Sequence, residues 1–254
     1  MWIKSSALLL VLLCVSSGIK AQDDQNSDSC RYPVKLNVSA DIMSSYVWRG
    51  TDYGSSPSIQ PTLSLSAGNF EIGVWGAIAA FSFYKEVDVY AKYTIKNVSV
   101  SVTDYYVPSV NGLPAAPDTR YLMYNDAVTA HTLEGTLQYK RPEKFPFWVA
   151  GSVFFYGNDK RWGYDAGKDT TDKTYYSSYL EAGYTFKIKK NTADVFLGFT
   201  PQAGAYGNTY GVVNMGITGS RKILITKDFE LPVKASLIVN PQTSNVYFLF
   251  GFTL

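Results

Sequence analysis

The sequence predicts an all-β fold, a transmembrane antiparallel up-and-down β-barrel of about twelve strands. Three observations lead there. From Val34 onward apolar and polar residues alternate with period two, short connections take turns with longer ones, and the chain ends on a strand with one wholly hydrophobic face. Period two is the strand signature, because successive side chains point to opposite faces. Barrels in the bacterial outer membrane pair short turns at one end with longer loops at the other.

The first strand is expected near residues 34–49. Val34, Leu36, Val38, Ala40 and Ile42 face outward there, and Lys35, Asn37, Ser39 and Asp41 inward. The same register carries Tyr46 and Trp48 to the lipid side, as rim anchors, and turns Arg49 inward before Gly50. Strands near 58–67 and 70–82 flank Gly68-Asn69. Near 86–95, Val87, Val89, Ala91, Tyr93 and Ile95 alternate with Asp88, Tyr90, Lys92 and Thr94, and after Lys96-Asn97 the strand near 98–107 alternates Val98, Val100 and Val102 with Ser99, Ser101 and Thr103. That is a tight hairpin. Further strands are expected near 127–140, 146–157, 175–188, 193–201, 211–225 and 231–239. In the last, near 245–254, Val246, Phe248, Phe250, Phe252 and Leu254 point one way and Tyr247, Leu249, Gly251 and Thr253 the other.

The connections are an independent signal. Counted from the N-terminus, the even ones are short: Gly68-Asn69, Lys96-Asn97, Arg141 to Phe145, Lys189 to Thr192 and Thr226 to Glu230. The odd ones include the long segments Pro108 to Asp126 and Asn158 to Thr174, and Phe83 to Lys85 is the one short exception.

Ahead of the strands, Lys4, the apolar run Ala7 to Val15 and the polar stretch Ser16 to Ala21 read as a signal peptide over 1–21, followed by a periplasmic leader over 22–33 and the barrel over 34–254. The apolar run is about half the length a helix needs to cross a bilayer. Aromatic residues make up 15% of the chain, 20 of them Tyr, against 17% charged residues, and mean hydropathy is −0.07. That is too polar for a bundle of membrane helices, and Tyr suits a water–hydrocarbon boundary. The net charge of +2 includes Lys4 and Lys20 of the signal, so the mature chain carries 2 − 2 = 0. It therefore has no electrostatic footprint for nucleic acid. Cys30, alone after processing, is a thiol with no intramolecular partner.

Residues 38–108 resemble TorF-type porins, a family of bacterial outer-membrane proteins. The likeness is carried by Ser39-Ala40-Asp41, Tyr46-Val47-Trp48-Arg49-Gly50, Gln60, Gly73-Val74-Trp75 and Glu86-Val87-Asp88-Val89-Tyr90, through to Tyr105-Tyr106-Val107-Pro108, in that order and spacing. Thr51-Asp52-Tyr53 stand where the family often has Ser and Gln after the Arg-Gly. The resemblance covers under a third of the chain. It implies a barrel and a pore in the outer membrane, and it implies no substrate.

Candidate chemistry is sparse. The single His, His131, has Leu133 at the next position on its own face, and Thr129 and Thr132 lack an evident acid or amide partner. No nucleophile–base pair is indicated, so the chain is expected not to be an enzyme. No metal cluster or phosphate-cradling glycine loop occurs, and no cofactor is expected. The inward phase places Asp41, Arg49, Glu71, Asp88, Lys92, Glu134, Glu181 and Lys234 on the lumen. They belong to a set in which Asp41, Glu71, Asp88, Glu134, Glu181 and Asp194 are matched by Lys35, Arg49, Lys92, Lys140, Lys187 and Lys234. Balanced charge suits an ion-paired plug or a weakly selective channel. Bulky inward residues Trp75, Tyr90, Trp148, Phe154, Tyr156 and Tyr179 are expected to narrow the lumen. The expected function is a porin or small-solute channel of unknown substrate. The alternative is a non-conducting surface barrel whose long outer loops bind an envelope or extracellular partner. Either barrel would meet outer-membrane lipid and lipopolysaccharide, and the barrel-assembly machinery during insertion.

Overall fold

The computed structural model describes residues 32–108, 118–141, 145–160 and 173–254. The expected signal peptide, all but the last two residues of the leader, and the middles of both long connections lie outside the described residues. Twelve strands close into an antiparallel barrel. In chain order they are β1 (Lys35–Met43), β4 (Ser58–Ala67), β5 (Phe70–Ala79), β6 (Lys85–Ile95), β7 (Val98–Tyr106), β8 (His131–Lys140), β9 (Phe147–Gly157), β10 (Ser178–Ile188), β11 (Asn191–Thr200), β12 (Gly211–Thr226), β13 (Phe229–Asn240) and β14 (Asn245–Thr253). Two short strands, β2 (Val47–Trp48) and β3 (Thr51–Asp52), pair only with each other. The ring is closed by β1 against β14, with Asp41 opposite Thr253 and Ala40 exchanging backbone hydrogen bonds of 3.0 and 2.9 Å with Leu254. Closure satisfies the ladder, the condition for a sheet to cross a lipid layer. Among the described residues no helix is long and apolar enough to cross a membrane, which bears on helices alone.

Period two is realised as an apolar skin around a polar interior. Val38, Leu63, Val74, Val89 and Val100 stand exposed on successive strands, and so do Val246, Phe248 and Phe250 on β14. Their neighbours in sequence face inward. At one end, here the turn end, adjacent strands are joined by the two-residue turns 68–69, 96–97, 189–190 and 227–228 and by residues 141–146. Gly68, Lys96 and Lys189 take positive φ in these turns, at 58°, 54° and 58°. The opposite, loop end carries the longer connections.

Two expectations on the strands are corrected. The first strand does not run on to Arg49. It stops at Met43, where Ser44 caps it by backbone and side-chain bonds to Phe250, and residues 45–53 fold back into the lumen as the β2–β3 hairpin. Tyr46 is consequently buried, with its ring 5.2 Å from inward-facing Trp75, and Trp48 packs 5.3 Å from Tyr105. Neither ring stands on the outer face. Alternation along one strand cannot announce that the strand has left the wall, because a hairpin preserves the same period. The second correction concerns Tyr156. A register shift between Leu133 and Glu134 leaves Phe155 without an opposite residue and sets Tyr156 across from outward-facing Leu133, so Tyr156 joins the outer face. One extra residue reverses every side chain beyond it.

Inward rings narrow the lumen less than their number suggests, because several lie flat on glycines. An added Cβ at Gly73 would meet the Tyr90 ring at 2.5 Å, at Gly183 the Trp148 ring at 2.4 Å, at Gly198 the Tyr179 hydroxyl at 2.0 Å, and at Gly216 the Phe196 ring at 2.9 Å. Tyr90, Trp148 and Phe196 each stand directly opposite their glycine. A glycine in a strand here provides the bed for its neighbour's ring.

Candidate pore constriction

The lumen is not uniform along its axis. Near the turn end its lining is half-exposed, as at Glu71, Tyr90, Lys92, Ser101, Thr136, Trp148, Thr192, Thr218 and Lys234. Toward the loop end the inward positions become buried, as at Met43, Ser58, Ala77, Glu86, Asp88, Glu134, Leu249 and Asn240. The chain therefore encloses a cup, open at the turn end and filled at the loop end by the β2–β3 hairpin and residues 201–210.

Arg49, at the tip of the hairpin, is the centre of the filling. Its turn needs left-handed backbone at Arg49 and Gly50, with φ of 49° and 79°. A Cβ on Gly50 would sit 1.9 Å from the Val213 carbonyl oxygen, so only glycine lets the tip press against β12. Asn240 fixes the same tip by donating to the Gly50 carbonyl at 3.0 Å. The guanidinium forks onto Glu134. Nη1 donates to Oε2, Nη2 donates to Oε1 at 2.9 Å, and further bonds reach Tyr206 Oη at 2.6 Å and Ser152 Oγ at 2.9 Å. Glu134 accepts in addition from Tyr206 at 2.5 Å, Tyr105 at 3.2 Å and Thr136 at 2.9 Å. The carboxylate side chain is 1% exposed and the guanidinium 14%. Around the pair lie ring faces: Arg49 Cζ is 4.3 Å from the Trp48 centroid, 4.5 Å from Tyr179 and 5.0 Å from Tyr206. Phe154, Tyr179, Tyr206 and Val213 complete an apolar shell. A buried charge survives only when paired and fully bonded, and this one has both a carboxylate fork and three π faces.

The other expected lumen residues fall into pairs and singles. Asp41 binds Lys234 at 2.6 Å and accepts from Thr253 at 2.6 Å. Glu71 binds Lys92 at 3.0 Å and accepts from the Tyr90 hydroxyl at 3.0 Å. Glu181 is held by Tyr179 and by Asn214 at 2.9 Å. Asp88 is buried beside Glu86, and its Oδ1 has no hydrogen-bond partner among the described residues. Glu86 itself accepts from Tyr84 at 2.6 Å. Sequence reasoning singled out neither Tyr206 nor Tyr105 as part of this site. Tyr206 sits in a connection whose signal was its glycines, Gly204 and Gly207, and the inward phase of Tyr105 was legible on β7.

His131 lies elsewhere, on the outer face at the loop end. It is wholly buried beneath residues 118–130, which fold over the wall. Nδ1 lies 2.9 and 3.0 Å from the two Asp104 oxygens and Nε2 2.6 Å from the Tyr121 carbonyl. Tyr124 stacks on the ring at 4.0 Å and donates to Asp104 at 2.7 Å. Tyr106 and Tyr156 donate to the Thr119 and Tyr124 carbonyls. This is a clasp for the described part of the first long connection. In that connection the Arg120 side chain beside Asp118 holds its carboxyl down to about 2. Among the described residues no group of three or more His, Cys, Asp or Glu is placed to hold a metal.

No family model and no curated protein matches the chain. Among solved structures it is similar to an outer membrane channel of Pseudomonas putida F1, with 14% identity over 91% of this chain and 98% of that one and a TM-score of 0.39. The fold and the constriction described here stand on this chain's own residues.

Proposed function

We propose that the chain is a bacterial outer-membrane barrel, made with a cleaved signal peptide, that acts as a narrow channel for small solutes and is constricted at its loop end by the Arg49 knot. One observation carries the reading: an apolar outer skin surrounds a polar lumen whose lining is half-exposed over the turn-end half. A polar interior with half-exposed charged residues is what a water-filled path requires. The apolar skin needs lipid around it, since so many exposed Val, Leu and Phe side chains would aggregate in water. The resemblance of residues 38–108 to TorF-type porins points the same way. Short turns on the periplasmic side would set the open mouth toward the periplasm and the knot toward the exterior, where the loops meet lipopolysaccharide. The reading includes no catalytic step: both ring nitrogens of His131 are engaged, by Asp104 and by the Tyr121 carbonyl.

Single-channel recording of the purified barrel in planar bilayers tests it. Small, discrete conductance steps are expected, rising when the hairpin is shortened. A folded barrel that never conducts, with or without its hairpin, would leave a surface barrel acting through its loops.

A further inference from the structure

The lumen's charges balance in number but not in place. On the turn-end wall the inward bases are Lys35, Lys92, Lys140, Lys187, Lys222 and Lys234, and the inward acids are Asp41, Glu71, Asp194 and Glu230. Six less four leaves an excess of two bases there. Lys234 and Lys92 are paired with Asp41 and Glu71 at 2.6 and 3.0 Å, and Asp194 takes a 2.5 Å bond from Thr185. Lys35, Lys140, Lys187 and Lys222 have no carboxylate partner among the described residues, and all four are exposed, as is the inward acid Glu230, which has no basic partner among them. The acids Glu86, Asp88, Glu134 and Glu181 stand toward the buried end, where Arg49 is paired with Glu134.

We propose that the turn-end vestibule is a capture site for small oxyanions, carboxylates or phosphates, held by Lys140 and Lys187 with Lys35 at the lip. The inference rests on reading the barrel as a lumen open to water at that end. A concave wall of one sign raises the local concentration of the opposite ion, and the low-dielectric barrel confines the field within it. Partnered lysines contribute little, because their carboxylates cancel them at short range. The unpartnered ones set the sign. Trp148 stands directly opposite Lys140 on the next strand and lays its ring across Gly183 on the far side, so the indole lies between the strands that carry Lys140 and Lys187 and reports on anions gathered there.

Trp148 gives a test independent of conduction. In the folded barrel in detergent, the quenching that disappears in Trp148→Phe belongs to this residue. Iodide should quench it severalfold more strongly than caesium, and the excess should be lost in Lys140→Glu/Lys187→Glu, with Lys140→Gln/Lys187→Gln as the milder pair should the first fail to fold. The control Lys189→Glu/Lys190→Glu alters charge by the same amount in a turn and should keep the excess. Raised salt should shrink the excess by screening. Equal quenching by the two ions, no quenching by either, or equal loss in the control overturns the proposal. Reversal potentials in a salt gradient separate it from the channel reading. A conducting barrel without anion preference rejects the vestibule, whereas absence of conductance with intact iodide preference rejects the channel and keeps the site.

Discussion

Arg49 shows how much a single side chain can carry when its surroundings are completed by several elements. The guanidinium belongs to the hairpin, its carboxylate to β8, a hydroxyl to β9, and its covering rings to β2, β10 and residues 201–210. Arg49→Glu would set a carboxylate against Glu134 in a closed interior. Breaking a buried pair this way costs about 3–5 kcal/mol, so the variant should unfold at a markedly lower temperature than the parent in heat-modifiable gel migration. Unchanged migration would show that the fork does not stabilise the barrel. Arg49→Lys keeps the charge but loses the fork and the stacking, and should fall between the two. At Thr253 the alternation alone would permit an acidic residue on the lumen side. Its hydroxyl donates to Asp41 at 2.6 Å, however, so an introduced carboxylate would repel the Asp41–Lys234 pair. Ser101, half-exposed and directly opposite Lys92, is the better inward site for an acid.

At the scale of the element, strands are read by face and hairpins by destination. With lipid around the apolar skin, as proposed, Phe250→Lys on the outer face of β14 should cost on the order of 2 kcal/mol near mid-membrane, whereas Ser101→Asp on β7 should assemble normally. Equal yields of folded barrel from the two variants would contradict the assignment of faces. The beds of glycine under the rings make a second prediction. In Gly183→Val the added side chain occupies the place of the Trp148 indole, so the ring must swing toward the axis. Conductance should fall while folding is retained, and an unchanged conductance together with unchanged Trp148 quenching would mean that the ring had found room on the wall. The hairpin is the third element. Replacing Tyr46 to Tyr53 with a short Gly-Ser turn removes the tip that presses on β12, and conductance should rise severalfold.

For the whole molecule the decisive property is closure. A barrel with no free edge resists detergent until it is boiled, so the mature protein should fractionate with outer membranes and migrate faster unheated than heated. Recovery in the soluble periplasm would contradict the membrane reading outright. Closure also explains why the lumen's contents are long-range. Asp41 and Lys234 are far apart in sequence yet form one ion pair because β13 and β1 both border β14.

What the sequence determined by itself was everything that depends on period and punctuation: the all-β class, the strand count, the apolar skin and the turn end with its short connections. These are local properties, because a residue's face follows from its neighbours two positions away. Only the tertiary structure decided where the wall ends and its filling begins. Tyr46 and Trp48 keep the strand period and still point into the lumen, Tyr156 changes face by one bulged residue, and Tyr206 reaches Arg49 from a segment without a pattern of its own. Charge balance was legible as a number, but its sorting into a basic mouth and an acidic floor depends on the height each residue reaches on a closed wall. Height is set by register across twelve strands, and register is a property of pairs that no single stretch of chain contains.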